Sequence, residues 1–423
     1  MIKLTFLGAI QNVGASGILL EDGKNRTIMD YGVKVSDSPP SFPLKFDGNV
    51  TSAFVSHAHL DHSGAIPMLN KKNGLKKIYS TIVTKELSEL LLMDSIKVNR
   101  EEGVQLPFIE QDVKICLNSF ETVDYRKPIN LKNGVKATLY DAGHIPGSSM
   151  IKINTDGKNI VYTGDFNTAD TRLIKGCDWD LGDVDVLITE STYSDRNHPT
   201  RESQEEELVN IIKHTIANGG NVIVSGFAVG RIDEMLLILD KHGINYPLYV
   251  DGMAKKAITI INRHNRILKD PKSMDKVLKN VHYVNDNKIR EKVTKKPSVV
   301  LTTSGMLKGG PVLWYLKKLH DKSNSSLVLS GFQVEGTPGN VLLKTGQYVN
   351  EKYELNLDMK MSVRRLDFSS HVGRDDLLKF IEKMNPQKIF CMHGEKTAEF
   401  ARELNDKGFE AFAPSIDDRF FEV

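Results

Sequence analysis

Apolar and polar residues alternate from the first positions of the chain. Ile2, Leu4 and Phe6 are apolar while Lys3 and Thr5 are polar, the period of a strand with one face against a core. Alternating or β-branched runs recur at residues 17–21, 27–30, 53–56, 137–140, 150–154, 159–163 and 186–190, most of them bounded by Gly, Asp or Asn. Up to about Ser191 the chain therefore reads as a system of strand-rich layers.

From about Thr200 the period changes. Ser203 with Glu206 has the form of a helix capping box, and Leu208, Ile212 and Ile216 form a helical stripe that ends at Gly219-Gly220. Strands at 221–225, 247–250, 298–302 and 327–330 then alternate with helices at 231–242, 253–268 and 312–320, the signature of a parallel α/β unit. After Glu354 the pattern returns to strand (360–367), helix (373–384), strand (388–392), helix (395–404) and a last strand near Glu410. The changes of period divide the chain into 1–200, 201–355 and 356–423.

With 423 residues, 40% of them hydrophobic and 26% charged, the chain has ample material for a buried core and the balance of a soluble globular protein. The net charge is +2, since 56 Lys and Arg face 54 Asp and Glu, so an anionic partner must be met by a local patch. One stretch supplies it: from Met253 to Lys296 there are thirteen Lys or Arg against four Asp or Glu. The stretch is poor in aromatics, with Tyr283 the exception, and reads as a track for phosphates. Cys116, Cys177 and Cys391 are odd in number and far apart, which fits a reducing, cytoplasmic setting and disfavours a thiolate metal site. No apolar run approaches the ~18 residues of a membrane span, and the N-terminus reads as a strand and not a signal peptide.

The candidate chemistry centres on Ser56-His57-Ala58-His59-Leu60-Asp61-His62. Three imidazoles and a carboxylate held this close are costly unless a cation sits among them, and imidazole with carboxylate is an ordinary donor set for Zn²⁺. Other ligand candidates follow strands in glycine-containing loops: His144 after Gly143, Asp165 after Gly164, and His393 before Gly394. Asp30 and Glu190 also fall at strand ends, where loops bring together side chains from distant positions.

H-x-H-x-D-H followed in order by a glycine-flanked His, a Gly-Asp and a late His closely resembles the metallo-β-lactamase superfamily. Glu190-Ser191-Thr192-Tyr193, Phe368-Ser369-Ser370-His371 and Cys391-Met392-His393-Gly394-Glu395 resemble the extra motifs of its β-CASP branch. Within that branch the chain looks most similar to archaeal homologues of the nuclease subunit of the polyadenylation machinery, without their N-terminal KH extension. The resemblance implies an α/β fold: a metallo-β-lactamase αββα four-layer sandwich, formed by 1–200 and 356–423, with a parallel α/β β-CASP domain inserted at 201–355.

It also implies two Zn²⁺ ions, one held by His57, His59 and His144, the other by Asp61, His62 and His393, with Asp165 bridging and Asp30 orienting a ligand from behind. The expected reaction is hydrolysis of RNA phosphodiesters by a metal-bound hydroxide, leaving 5′-phosphate and 3′-hydroxyl ends, by endonuclease and also 5′→3′ exonuclease action. Asp61 would orient or deprotonate the water, His371 would protonate the leaving oxygen, and Glu190 would position His371.

RNA contacts are expected on glycine-rich loops that follow strands and open helices. The residues are Phe227, Gly230 and Arg231, then Ser304 and Gly305, then Gly331, Gln333, Gly336 and Thr337, with Ser369 from the later motif. The expected partner is RNA, with a homodimer or a larger RNA-processing assembly left open. Two other readings stand beside the ribonuclease: a catalytically weak RNA-binding scaffold, which the complete ligand set disfavours, and a small-molecule metallo-hydrolase, which the large insertion disfavours.

Overall fold

The computed structural model describes residues 1–37 and 39–423. Two compact units emerge, one of residues 1–170, 175–197 and 370–423, the other of 171–174 and 198–369.

The first unit holds two seven-stranded sheets. One runs in the order Phe420–Glu422, Lys3–Gly8, Gly17–Glu21, Arg26–Tyr31, Ser52–Phe54, Ile78–Ser80, Phe120–Thr122. The other runs Ala411–Phe412, Lys388–Met392, Val186–Glu190, Lys158–Tyr162, Ser149–Thr155, Lys136–Asp141, Pro128–Asn130.

Period-two alternation decides what each strand gives to which layer. Leu4, Phe6, Ile18, Leu20 and Phe54 of the first sheet meet Ile160, Tyr162, Ile188, Phe390 and Met392 of the second in one core. Leu19, Ile28, Ala53 and Val55 turn the other way onto Ile66, Leu69, Leu92 and Ile96 of helices Ile66–Asn73 and Ile82–Glu101. Val161, Leu187, Ile389 and Cys391 likewise face Phe380, Ile381, Phe400 and Leu404 of helices Arg374–Met384 and Thr397–Asp406. The layers are helix, sheet, sheet, helix, as expected.

Besides the four-residue helix Leu60–Ser63, three helices of this unit were not anticipated: Ile66–Asn73, Ile82–Glu101 and Glu110–Asn118. The second opens at Thr81, whose side chain accepts from Thr84 N, and buries Val83, Leu87, Leu91, Leu92 and Ile96 on one face. That spacing is visible in the sequence, although no element is expected between residues 57 and 136.

The second unit carries a six-stranded, all-parallel sheet in the order Val281–Val284, Leu248–Asp251, Ser298–Thr302, Asn221–Ser225, Ser326–Leu329, Ser362–Arg365. Its central strands Asn221–Ser225, Ser298–Thr302 and Ser326–Leu329 are near-continuous apolar runs because both faces are covered, whereas the edge strands Val281–Val284 and Ser362–Arg365 are partly exposed. Three details depart from the sequence reading. The helix Arg201–Ala217 is capped by Thr200, whose hydroxyl accepts from Ser203 N, so Ser203 lies inside the first turn and is not the cap. The long helix expected over 253–268 ends at Arg263 and resumes only as a single 3₁₀ turn, Asn265–Ile267. The strand expected to open the return to the first domain, Ser362–Arg365, instead pairs with Ser326–Leu329 in the inserted sheet.

A buried carboxylate organises the start of this unit. Glu205 accepts from Arg172 Nε at 2.6 Å, from Lys241 Nζ at 3.1 Å and from His242 Nε2 at 3.0 Å. It thereby ties the short excursion 171–174 to two helices of the unit. Among the described residues no helix is long and apolar enough to cross a membrane.

In the first unit, Phe390 packs against Phe6 at 5.3 Å, Phe412 at 5.3 Å and Phe421 at 4.9 Å, joining the strands that begin and end the chain. Phe390→Ala is expected to cost about 3–5 kcal/mol, read as a lower denaturant midpoint.

Candidate metal centre

The ligand candidates gather at one edge of the first unit's sheets. Asp30 is the fifth residue of Arg26–Tyr31, Glu190 ends Val186–Glu190, and His393 follows Lys388–Met392 directly. His57, His144 and Asp165 each sit three residues beyond a strand, and His59 caps the four-residue helix Leu60–Ser63 that carries Asp61 and His62. Gly143 and Gly164 take φ of +66° and +54°, the sharp turns expected beside a ligand. At the late motif the roles are reversed. His393 itself adopts φ +52°, and Gly394 is required for space, since a Cβ there would lie 2.4 Å from Ser191 O.

Asp30 is the anchor of the cluster, wholly buried at φ +56°. Its Oδ2 accepts from Ser56 Oγ at 2.6 Å, His62 Nδ1 at 2.7 Å and Tyr162 OH at 2.9 Å, and its Oδ1 accepts from Ser56 N at 2.7 Å. Ser56 has one hydroxyl hydrogen and gives it to Asp30, so it accepts from His57 Nδ1 at 3.0 Å. One carboxylate thereby places the protons of His57 and His62 on Nδ1 and leaves both Nε2 atoms facing inward. His144 reaches the same state through Ser370, whose carbonyl accepts from Nδ1 at 2.9 Å.

Two groups of donor atoms result, His57 with His59, His144 and Asp165, and Asp61 with His62, Asp165 and His393, each with its atoms within 4.8 Å of one another. Asp165 belongs to both. His59 Nδ1 lies 3.2 Å from His57 Nε2 and 3.2 Å from His144 Nε2. A single N–H on His59 could serve only one of these contacts, whereas a cation serves all three nitrogens. Burial, reinforced by neighbouring imidazoles, holds His57 and His144 well below the usual histidine range, and burial lowers His59 too. All three are thus in the neutral, ligating form. In the second group Asp165 Oδ1 and His393 Nε2 are buried without a hydrogen-bond partner. Burial would raise the Asp61 carboxyl, but the neighbouring His393 and His62 rings keep it well below the ordinary range. The donor set and its orphaned atoms fit divalent-cation binding.

A third set, Asp165, Glu190 and His371, is a different device. Glu190 is buried, its Oε1 accepting from Phe166 N at 2.8 Å and its Oε2 from His371 Nδ1 at 2.8 Å. Burial opposes charge on His371, yet Glu190 and Asp165 overcome it and push the ring up to about 9. The His371 ring lies 4.6 Å from that of His144 and 6.4 Å from that of His393, so it borders both donor groups. The side chains of His371 and Asp61 are 21% and 25% exposed, while His57 and His62 have no exposed surface. Solvent therefore reaches the centre at Asp61 and His371, the two residues expected to handle protons, and at the edge of His59.

The loop residues expected to meet RNA lie in the second unit, on connections that leave Asn221–Ser225, Ser298–Thr302 and Ser326–Leu329. Gly230, at φ +76°, caps the helix Arg231–Lys241. Arg231 is buried and its guanidinium pairs with Glu234 at 2.5 Å, so its charge is engaged inside the unit. Ser304 O accepts from Ser225 Oγ at 2.7 Å, Gln333 Nε2 donates to Gly305 O at 2.9 Å and to Gly331 O at 3.2 Å, and Thr337 Oγ1 donates to Val334 O at 2.6 Å. Gly336 turns at φ +76°, and Ser369 O accepts from Arg201 at 2.9 Å.

Sequence reasoning missed Ser56, Tyr162 and Thr192. Ser56 stands directly before the first ligand, which was a usable signal. Tyr162 reaches Asp30 across 132 positions, and Thr192 donates to His393 O at 2.8 Å across 201, distances that no local pattern encodes.

Comparison with known proteins adds three family matches. A metallo-beta-lactamase superfamily domain matches residues 18–192, a Beta-Casp domain 232–342, and a Zn-dependent metallo-hydrolase RNA specificity domain 356–414. The chain is 34% identical to the "Probable RNase MJ4" of Methanocaldococcus jannaschii, over 99% of both chains. It is 34% identical to the "RNase aCSPSF2" of Saccharolobus solfataricus, over 92% of this chain and 79% of that one. It is also 32% identical to the "Transcription termination factor FttA" of M. jannaschii, over 94% and 67% respectively. Among solved structures, a protein of unknown function from Enterococcus faecalis V583 has the same fold, with a TM-score of 0.64 at 16% identity over 100% of both chains.

The Asp30 relay makes a selective prediction. Ser56→Ala is expected to weaken divalent-ion binding at the His57, His59 and His144 group by about 10- to 100-fold and to spare the other group. Asp30→Asn is expected to weaken both. Titration of Zn²⁺ against a competing chelator resolves the two affinities.

Proposed function

The chain belongs to the β-CASP branch of the metallo-β-lactamase superfamily, and from that premise we propose that it is a dizinc ribonuclease acting in RNA processing or decay. It hydrolyses phosphodiesters to 5′-phosphate and 3′-hydroxyl ends, as an endonuclease with 5′→3′ exonuclease activity. The names of its relatives and the match to an RNA specificity domain support RNA as substrate. The observation that carries the reading is the Glu190–His371 pair at 2.8 Å, a buried carboxylate holding an imidazole beside both donor groups.

In this reading His57, His59 and His144 would hold one Zn²⁺ and Asp61, His62 and His393 the other, with Asp165, which belongs to both donor groups, available to each. When bound, the ions lower the pKa of water and offset the charge of the phosphate. Asp61, partly exposed, orients or deprotonates the attacking water. As the water oxygen bonds to phosphorus, the bond from phosphorus to the 3′ oxygen breaks, and the phosphate remains on the downstream product. His371 gives that 3′ oxygen a proton from Nε2, while Glu190 on Nδ1 fixes the ring and stabilises its charged form. No step draws on a 2′-hydroxyl. The excess of thirteen basic over four acidic residues between Met253 and Lys296 supports a phosphate track in the inserted unit. The loop residues Phe227, Gly230, Ser304, Gly305, Gly331, Gln333, Gly336, Thr337 and Ser369 belong to the same RNA-binding proposal, with Arg231 as an internal support.

His371→Ala is expected to keep its bound metal and lose most turnover, by about 10²- to 10⁴-fold; normal cleavage would remove His371 from the acid role. Asp61→Ala combined with His62→Ala should abolish cleavage of end-labelled RNA. Product mapping on 5′-triphosphate, 5′-monophosphate and 5′-hydroxyl RNA should yield internal fragments from all three and mononucleotides from the monophosphate alone. Hydrolysis of a β-lactam with no action on RNA would refute the reading.

A further inference from the structure

Single exposed apolar side chains are common on any protein surface and call for no explanation. Phe227 differs in being exposed and closely flanked by two glycine loops at once. It is 38% exposed on the loop between Asn221–Ser225 and the helix Arg231–Lys241. Its ring spans two neighbouring glycine loops. A Cβ on Gly305 would lie 3.4 Å from ring Cδ1, and a Cβ on Gly331 would lie 3.3 Å from ring Cε2 on the opposite side. A side chain at Gly331 would crowd the ring, and one at Gly305 would touch the ring and crowd the backbone at Phe227 N, 3.2 Å away.

The three loops are stitched together around it. Gly226 N donates to Thr302 O at 3.0 Å and Ser330 N to Ser225 O at 3.0 Å. Ser225 Oγ donates to Ser304 O at 2.7 Å and Ser330 Oγ to Ser225 O at 2.9 Å. The Gln333 amide, 2% exposed, donates from one nitrogen to the carbonyls of both glycines that flank the ring, Gly305 at 2.9 Å and Gly331 at 3.2 Å. A second half-exposed aromatic, Phe332 at 42%, follows Gly331 on the adjoining loop. Such bracing holds an aromatic surface in place for a ligand without the entropy cost of ordering it on binding.

From this geometry we propose that Phe227 is a stacking platform for one unpaired nucleobase of RNA, with Gln333 as the positioning residue that fixes the glycine loops around it. A planar π-surface amid backbone polar groups, three residues before the Gly230 cap of a helix, suits a base with its phosphate close by. Stacking is indifferent to base identity, so the platform selects single-stranded over paired RNA and not one sequence over another. The inference rests on the ribonuclease reading and refines where its substrate is held.

The test uses the full chain, first assayed for RNA cleavage and then stripped of metal with a chelator for binding. Probes are an oligouridylate, an oligoadenylate and an abasic ribose-phosphate oligomer of equal length. Phe227→Leu is expected to lose about 10-fold in affinity for both base-bearing oligomers and nothing for the abasic one. Phe227→Trp should retain affinity, with its indole fluorescence quenched on binding. Gln333→Ala should reproduce the loss in part and for the same two probes only. An unchanged affinity of Phe227→Leu in a chain that cleaves RNA overturns the platform and leaves the ribonuclease intact. Equal losses for all three probes would mark a general structural defect and also overturn it. A wild-type chain that neither cleaves nor binds RNA defeats the ribonuclease reading and the platform with it.

Discussion

The functional centre depends on where Asp30 puts two protons. A buried carboxylate that accepts from Ser56, His62 and Tyr162 sets the tautomer of one imidazole in each donor group, directly at His62 and through Ser56 at His57. With those hydrogens turned outward, lone pairs converge where Asp165 joins the groups. Such an arrangement is unfavourable without a positive charge among the lone pairs, and the fold bears that cost in a layer made rigid by sheet packing. The strands that meet across the core also carry the site. Phe54 and Tyr162 lie in the core a few residues before His57 and Asp165, and Met392 lies there immediately before His393.

Burial divides the labour. The residues that fix geometry, Asp30, His57, His62 and Glu190, are shielded from solvent, whereas Asp61 and His371 keep part of their surface open. Groups that set geometry are best held where water cannot compete, and groups that exchange protons must reach water or substrate. Glu190 shows how the two meet: one oxygen is anchored by a backbone amide beside Asp165 and the other extends to His371.

Much of this was legible in the sequence because the chemistry is local. H-x-H-x-D-H is confined to six residues, and the later ligands announce themselves through adjacent glycines. Four of the six parallel strands of the inserted unit stood out in the sequence, and Asn221–Ser225 and Ser298–Thr302 have the bounds expected. What stayed hidden was long-range or competing information. Helix Ile82–Glu101 has a clear apolar face but lies between short strands, and the pairing of Ser362–Arg365 is decided by a neighbour that local pattern does not name. Arg231 read as a surface charge beside an anion site because its spacing to Glu234 was not weighed, although a gap of three on a helix is the spacing of an ion pair. The reversal at His393 and Gly394 depends on the approach of Ser191, two hundred positions earlier.

The most direct measurement is a titration of Zn²⁺ into metal-stripped protein, with bound metal and cleavage of a single-stranded RNA followed in the same samples. The proposed function predicts no cleavage by the stripped chain, two bound ions per chain at saturation, and activity that rises as the second ion binds. Cleavage by the stripped chain at the rate of the loaded one, or saturation with no metal at the His57 to His62 cluster, would contradict it.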